Sequence, residues 1–222
     1  MSSPVEVAVA ADLAGRVRLG LVVIEDVTVR ASDAALAAEI EATAQDLRQR
    51  HAGVPSGDVP GVEDARALYK AVGIDPTKTR PSNEALLRRV LKGDALYTVN
   101  TLVDALNLSS VREQMPFGLY DLDRVVQPVE LRLGRAGESY EGIRKAAVNV
   151  DGRPVLSDAR GAFGNPTSDS ARTMITLETR STLVIAYAPA TAAASRVLGV
   201  LERTAATLVR YSGGTVVDLR VP

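Results

Sequence analysis

The sequence predicts an α+β fold in which helices and strands are partly segregated along the chain. Residues 62–108 contain apolar residues at helical spacing, whereas residues 125–187 contain short β-rich runs separated by turns that contain glycine. A long amphipathic stretch near the C-terminus predicts a further helix. With 222 residues, 46% of them hydrophobic, the chain can bury a sizeable core as one large domain or two small lobes.

Local patterns predict each element. Ser32 is expected to cap the first helix, Ser82 the third, and Gly213-Gly214 to end the last. Asp151-Gly152 predicts a hairpin turn between strands at 148–150 and 154–156. In chain order, the other predicted elements are strands at 5–9 and 17–29, helices at 32–51, 62–72, 82–91 and 97–108, strands at 174–177 and 182–187, a helix at 190–211 and a strand at 215–221.

A segment rich in glycine and proline, 53–61, indicates a loop and a lobe boundary. We therefore expect residues 1–60 to supply N-terminal strands and a helix that are integrated into the fold. Residues 61–222 are expected to form its core, with the C-terminal helix and strand, in a single structural domain.

Composition excludes several classes of site. The chain has no cysteine, and therefore no disulfide framework, thiolate zinc site or thiol nucleophile. The only histidine, His51, is expected to be a surface or capping residue, and no metal-ligand cluster surrounds it. No apolar run reaches the roughly 20 residues that span a bilayer, and no secretion signal opens the chain. We expect a cytoplasmic protein without a membrane partner.

The helix that opens at Ser82 carries a basic face. Glu84 lies in its first turn, where the helix dipole favours an anion, while Arg88 and Lys92 are one turn apart on the exposed side. The formal net charge of the chain is only −1, so any nucleic-acid contact must come from such a local patch. Two interpretations remain open, a phosphate-binding patch or a solvated helix face. The nearby basic residues are Lys70, Lys78, Arg80 and Arg89.

Two further segments carry polar residues that indicate a site. Asn100, Asp104 and Asn107 have the spacing of one helix face, which can orient a ligand or hold a neighbouring loop. The loop 158–173 combines glycines with several polar side chains, and either ligand contact or internal hydrogen bonding accounts for it. The polar residues of this loop that we single out are Asn165, Ser168, Asp169, Ser170, Arg172 and Thr173.

The ordered motifs of this chain resemble the tRNA-binding and editing module, B3/B4, of the phenylalanyl-tRNA synthetase β subunit. The resemblance covers roughly residues 61–187. It is carried by the segments Val-Asn-Thr-Leu-Val-Asp-Ala-Leu-Asn at 99–107, Met-Pro at 115–116, Tyr-Asp-Leu-Asp at 120–123, Val-Glu-Leu-Arg at 129–132, Gly-Glu at 137–138 and Leu-Ser-Asp-Ala-Arg-Gly at 156–161.

The resemblance implies an α+β fold with two interleaved sub-lobes of mixed sheet, packed helices and a site between the sub-lobes. It also implies hydrolysis of the ester that joins an amino acid to the 3′ end of a tRNA, with no metal or organic cofactor and no DNA partner. The family's histidine position is Gly118 here, and its Gly-Gly-Glu segment is Gly164-Asn165-Pro166. In the synthetase, this module hydrolyses tyrosine wrongly attached to phenylalanine tRNA, and the glutamate of the Gly-Gly-Glu segment recognises the tyrosine hydroxyl. With these positions changed, the resemblance does not imply specificity for tyrosine.

On this resemblance we expect a free-standing, trans-acting deacylase of mischarged tRNA. Asp104 and Asp169 are the expected catalytic carboxylates, which hold the substrate ammonium or orient a water. The expected substrate-binding residues are Asn100, Asn165, Ser168, Ser170, Arg172, Thr173 and Arg80, and the expected tRNA-binding residues are Arg88, Arg89 and Lys92. The alternatives are a non-catalytic module that binds tRNA or an amino acid, and a hydrolase of another small ester or amide.

Overall fold

Two four-stranded sheets organise the computed structural model, which describes residues 4–143 and 147–222. The described residues confirm the α+β class. The helices are α1 (Ala34–Arg50), α2 (Val62–Ala71), α3 (Ser82–Leu91), α4 (Thr101–Glu113) and α5 (Ala194–Ser212). The strands are β1 (Val7–Val9), β2 (Val17–Glu25), β3 (Phe117–Asp121), β4 (Val129–Leu133), β5 (Ser139–Glu141), β6 (Ala147–Asn149), β7 (Pro154–Asp158), β8 (Gly161–Gly164), β9 (Thr182–Pro189) and β10 (Thr215–Arg220).

The two sheets interleave distant parts of the chain. The first sheet has the order β1-β4-β7-β8, with β1 parallel to β4 and the other pairs antiparallel. The second sheet has the order β10-β2-β9-β3 and is antiparallel throughout. Strands β5 and β6 form a two-stranded sheet of their own. The N-terminal strands therefore join one sheet each, and β2 occupies a central position.

The second sheet has an apolar core on each side. Alternate residues of a strand point to opposite faces, so Leu21 of β2 packs between the two sheets, whereas Val22 packs toward the helices. The inter-sheet core also contains Tyr120, Phe163 and Tyr187. The core on the helix side contains residues of α4 and α5, including Leu102 and Leu201. Burial on both faces explains the almost continuous apolar run of β2.

Helices α1 and α3 extend this core outward by packing against α4. A third apolar cluster joins Leu47 of α1, Leu87 and Val90 of α3, and Val111 of α4. One side of α3 is thereby buried, and its basic residues lie on the outer side. Among the helices in the described part of the chain, none has the length and apolar content that a bilayer crossing requires.

Two local predictions are wrong because tertiary pairing overrides the pattern. Asp151-Gly152 does not close a hairpin between its flanking strands, because β6 pairs with β5 while β7 pairs with β4 and β8. The run 174–177 is not a strand. It follows a short 3-10 turn, Ala171–Thr173, and the N–H of Thr176 donates to Oγ1 of Thr179 at 3.0 Å, which is a loop contact.

The helix caps also differ from the prediction. Asp33, not Ser32, caps α1, because its carboxylate accepts from the N–H of Leu36 at 3.0 Å. Ser82 is the first residue of α3 and does not cap it. Helix α4 begins at Thr101, so Asn100 is its N-cap and does not share the helix face of Asp104 and Asn107. Helix α5 begins at Ala194 rather than at 190.

Candidate functional site

A basic groove opens between the end of α1, the loop after it, α2 and α3. Its volume is about 580 Å³, and its carboxylates are those of Asp58 and Glu84. We call it the basic groove, and define it by its basic residues, which are Arg48, His51, Arg66, Arg80, Arg88 and Lys92. Arginine and lysine thus outnumber carboxylates in a chain whose formal net charge is −1. This concentration of positive charge suits an anionic ligand.

Glu84 is the buried acceptor at the base of this groove. Its carboxylate is 1% exposed and accepts from Nε and Nη2 of Arg66 at 2.8 and 2.9 Å, and from Nε of Arg80 at 3.2 Å. Burial by itself raises the pKa of Glu84, but the hydrogen bonds and charges of the two arginines outweigh it and lower the pKa. Arg80, expected to hold substrate, is therefore partly engaged inside the protein.

Gly57 allows Arg66 to reach this position. A Cβ atom at residue 57 would lie 2.6 Å from Cζ of Arg66, which is closer than real contacts allow. The glycine of the loop therefore accommodates the guanidinium. The sequence predicts a loop rich in glycine and proline at this place. It does not indicate that the loop packs against Arg66 of α2.

Arg88 and Lys92 are the free cations of the groove. Both are exposed, and neither forms an ion pair with a residue in the ranges 4–143 and 147–222. Arg88 lies in the last turn of α3, and Lys92 is its C-cap residue, so the two are one turn apart, as the sequence predicts. Arg89 does not line the groove; its guanidinium lies 4.3 Å from the ring centroid of Tyr97. The structure thus brings two of the three expected tRNA-binding residues together with Arg80.

Three basic residues of the groove were missed by sequence reasoning. Arg48 lies in the last turn of α1, His51 is the C-cap residue of that helix, and Arg66 lies on α2. Arg48 and His51 are one helical turn apart, which is the only local signal that could have joined them. Nothing in the sequence indicates that the end of α1 lies beside α3, because that proximity follows from packing both helices on α4. His51 is the C-cap residue of α1, in agreement with its predicted capping position.

A second polar cluster lies between the two sheets, around Asp169. The residue is partly exposed, yet its Oδ1 atom is enclosed and has no hydrogen-bond partner. Oδ2 accepts weakly from the N–H of Leu119, at 3.5 Å. Burial raises the pKa of Asp169 to about 7, and the hydrogen bonds from Tyr120 and Leu119 only reduce this effect. The carboxyl group therefore titrates near neutral pH.

The ring of Tyr120 fills the space beside Asp169. Its hydroxyl lies 3.1 Å from that of Tyr187, and its ring meets Phe163 edge-to-face at 4.9 Å. Cβ atoms at Gly118 and Gly164 would each lie 2.6 Å from a carbon of this ring. Gly118 stands at the family's histidine position, and Gly164 directly precedes Asn165-Pro166, where the chain also departs from the family pattern. Both glycines therefore leave the space that the ring of Tyr120 fills.

Asn165, Ser170 and Arg172 of the loop are held by contacts within the protein. Asn165 accepts from the N–H groups of Thr167 and Ser168, both at 2.8 Å, and Ser170 accepts from the N–H of Arg172 at 3.1 Å. Arg172 forms a two-pronged ion pair with Asp158, with both distances 2.9 Å. Thr173 is fully buried, and its hydroxyl has no partner among the described residues.

Asn100 and Asp104 lie on the other side of the second sheet. Asn100 accepts from the N–H of Val103 at 3.0 Å, and Asp104 accepts from the N–H of Val99 at 2.9 Å. Burial raises the pKa of Asp104. Helix α4 contributes to the core on the helix side, whereas Tyr120, beside Asp169, belongs to the inter-sheet core. The structure therefore does not bring the two expected catalytic carboxylates together.

Comparisons with known proteins agree with this architecture. The solved N-terminal fragment of the phenylalanyl-tRNA synthetase β subunit from Pyrococcus horikoshii has a similar fold, with a TM-score of 0.51 and 14% sequence identity. The match covers 97% of this chain and 51% of that one, so the chain spans about half the length of the fragment. A search of the curated proteins found no significant match. The family model of the B3/4 domain matches residues 64–211, and the chain belongs to this B3/4 domain family.

Proposed function

We propose that this chain binds tRNA and that the basic groove is the contact surface. The observation that carries the proposal is the pair of exposed cations Arg88 and Lys92, which form no ion pair with a described residue and line a groove that also contains Arg48, Arg66 and Arg80. Phosphate contacts from arginine and lysine supply most of the affinity of proteins for nucleic acids. The fold shared with a fragment of a tRNA synthetase supports RNA over other polyanions. The cytoplasmic location that the sequence predicts is consistent with a tRNA partner.

Filter binding with tRNA at several salt concentrations tests this proposal. The double variant Arg88→Ala/Lys92→Ala should weaken binding and flatten the dependence of log Kd on log salt by about 1–2, because up to two phosphate contacts are lost. Arg153→Ala is the matched control, since Arg153 is an exposed arginine in the turn between β6 and β7. Equal affinity and equal salt slope in the double variant and the wild type would exclude the groove.

A second function, deacylation of a mischarged tRNA, is favoured by the state of Asp169. A carboxyl group that titrates near pH 7 and has a free Oδ1 atom suits a general base that takes a proton from the water attacking the ester. Oδ1 is closed to solvent, so hydrolysis requires displacement of the loop around it. Ser168, Ser170 and Thr173 of this loop are then the proposed contacts to the substrate. Asn165 and Arg172 shape the loop.

In this proposal Asp104 and Asn100 have a positioning role, because they hold the segment before α4 and lie across the sheet from Asp169. Release of the amino acid from a panel of correctly and wrongly charged tRNAs tests deacylation directly. We expect Asp169→Asn to abolish selective release and Asp104→Asn to retain it. If tRNA binds but no member of the panel is deacylated, the protein is a binding module.

A further inference from the structure

Tyr97 is the aromatic side chain that this chain exposes. All eight of its aromatic residues lie in the described ranges, and Tyr97 is 58% exposed, whereas each of the others is 8% exposed or less. An exposed tyrosine leaves apolar surface in water at a cost in free energy, and Val99, two residues further along the chain, is 47% exposed as well. Tyr97 therefore differs from every other ring of the protein.

The position of Tyr97 is well defined. Gly93 has a φ of 87°, which reverses the chain after α3, and the N–H of Asp94 donates to the carbonyl of Arg89 at 3.1 Å. Leu96 is then buried in the cluster between α3 and α4. Beyond Tyr97, the N–H of Val99 donates to Asp104. The segment is thus held on both sides of the tyrosine.

Arg89 covers one face of the tyrosine ring. Its guanidinium carbon lies 4.3 Å from the ring centroid, and its Nε donates to the carbonyl of Ala95. With one face covered and 58% of the residue exposed, the opposite face is the surface open to a ligand. Arg89 precedes Lys92, the C-cap residue of α3, by three residues, so their side chains are neighbours on one helix face, and Arg89 links the ring to the free cations of the basic groove.

We propose that Tyr97, backed by Arg89, is a stacking platform for an unpaired nucleobase of RNA whose phosphates lie in the basic groove. Aromatic rings beside a positive groove are the elements by which proteins bind single-stranded nucleic acids, and stacking on them tolerates any base. The platform deepens the proposed function and rests on it. It specifies a ligand with at least one unpaired nucleotide rather than a continuous duplex.

Fluorescence anisotropy with a short single-stranded RNA tests the platform. Tyr97→Ala should weaken binding by roughly 5- to 100-fold, whereas Tyr97→Phe should keep wild-type affinity because the ring is retained. Leu177→Ala is the matched control, because Leu177 is also an exposed apolar residue, at 48%. The salt slope should stay unchanged in Tyr97→Ala and fall in Arg88→Ala/Lys92→Ala, since only the latter removes phosphate contacts.

An RNA with a single abasic nucleotide, moved along the sequence, makes the test specific. When the abasic nucleotide is at the stacking position, the wild type should bind the RNA less tightly than it binds intact RNA. The Tyr97→Ala variant should bind this abasic RNA and intact RNA with equal affinity. If Tyr97→Ala binds intact RNA like the wild type while the Arg88/Lys92 variant is weakened, the platform is excluded and the proposed function stands. If neither single-stranded RNA nor tRNA binds the wild type, the proposed function falls and the platform with it.

Discussion

Two nitrogen atoms of Arg66 donate to the carboxylate of Glu84, at 2.8 and 2.9 Å, from a helix that precedes it by one loop. The carboxylate is 1% exposed, while the Arg66 side chain is 27% exposed. The ion pair with Glu84 therefore holds the guanidinium of Arg66 in place and leaves part of the Arg66 side chain exposed at the groove surface. Because Glu84 is buried beneath Arg66 and Arg80, it holds these arginines in place without itself adding an exposed negative charge to the groove.

Glu84→Gln is expected to destabilise the protein by about 1–3 kcal/mol at pH 7, because it weakens three hydrogen bonds from Arg66 and Arg80 and removes the negative charge that compensates the two arginines. The folded pKa is lowered from 4.5, so this stability is present above pH 4.5 and is lost as the pH falls through the folded pKa. Urea unfolding at pH 7 and pH 3.5 measures both effects. The exposed Glu130→Gln is the control, and a Glu84→Gln variant as stable as it at pH 7 would contradict the prediction.

Gly118→Ala is expected to destabilise the protein by about 1–3 kcal/mol, because the added Cβ meets the ring of Tyr120. Tyr120→Leu removes that ring, so the double variant should be more stable than the sum of the single effects predicts. Gly199→Ala is the control, since its Cβ would meet only Arg203, at 3.3 Å. Thermal unfolding of the four proteins completes the cycle. Additive effects would show that Gly118 does not make room for Tyr120.

Asp169→Asn should change how stability depends on pH. The pKa of Asp169 rises from 3.8 to about 7 on folding, so the folded state holds a proton that the unfolded state releases, and stability falls as the pH rises across this window. Asparagine does not ionise. Relative to the wild type, the variant should gain on the order of 1–3 kcal/mol between pH 4 and pH 8. Denaturant unfolding at both pH values measures the gain, and the same pH dependence of stability in the variant and the wild type would contradict the prediction.

Asn100→Ala is expected to cost about 1 kcal/mol, because Asn100 caps α4 through the N–H of Val103. Asn107→Ala is the matched control, since Asn107 lies inside the same helix and alanine has the higher helix propensity. Chemical denaturation of both variants separates the two amides. Equal stability would place Asn100 outside the capping role that the structure assigns to it.

The helical part of the chain was predictable because its patterns are local. Helix α3 runs from Ser82 to Leu91 as predicted, and α2 ends one residue before the predicted Val72. The strands at 148–150 and 154–156 were harder, since a β-strand is stabilised by a partner that the sequence does not specify. Their pairing with separate sheets is a tertiary result, and it overrides the turn signal of Asp151-Gly152.

The candidate site, like the fold, was predictable from the sequence only where its pattern is local. The sequence by itself determined that Arg88 and Lys92 share a helix face and that the loop 158–173 is rich in polar groups, because helical spacing and composition are local properties. Only the tertiary structure decided which of these groups are free. Packing of α1 and α3 on α4 creates the groove, pairing with Glu84 engages Arg80, and the second sheet separates Asp104 from Asp169. Solvation and partnership of a polar group are set by residues distant in sequence, so only the folded chain reveals them.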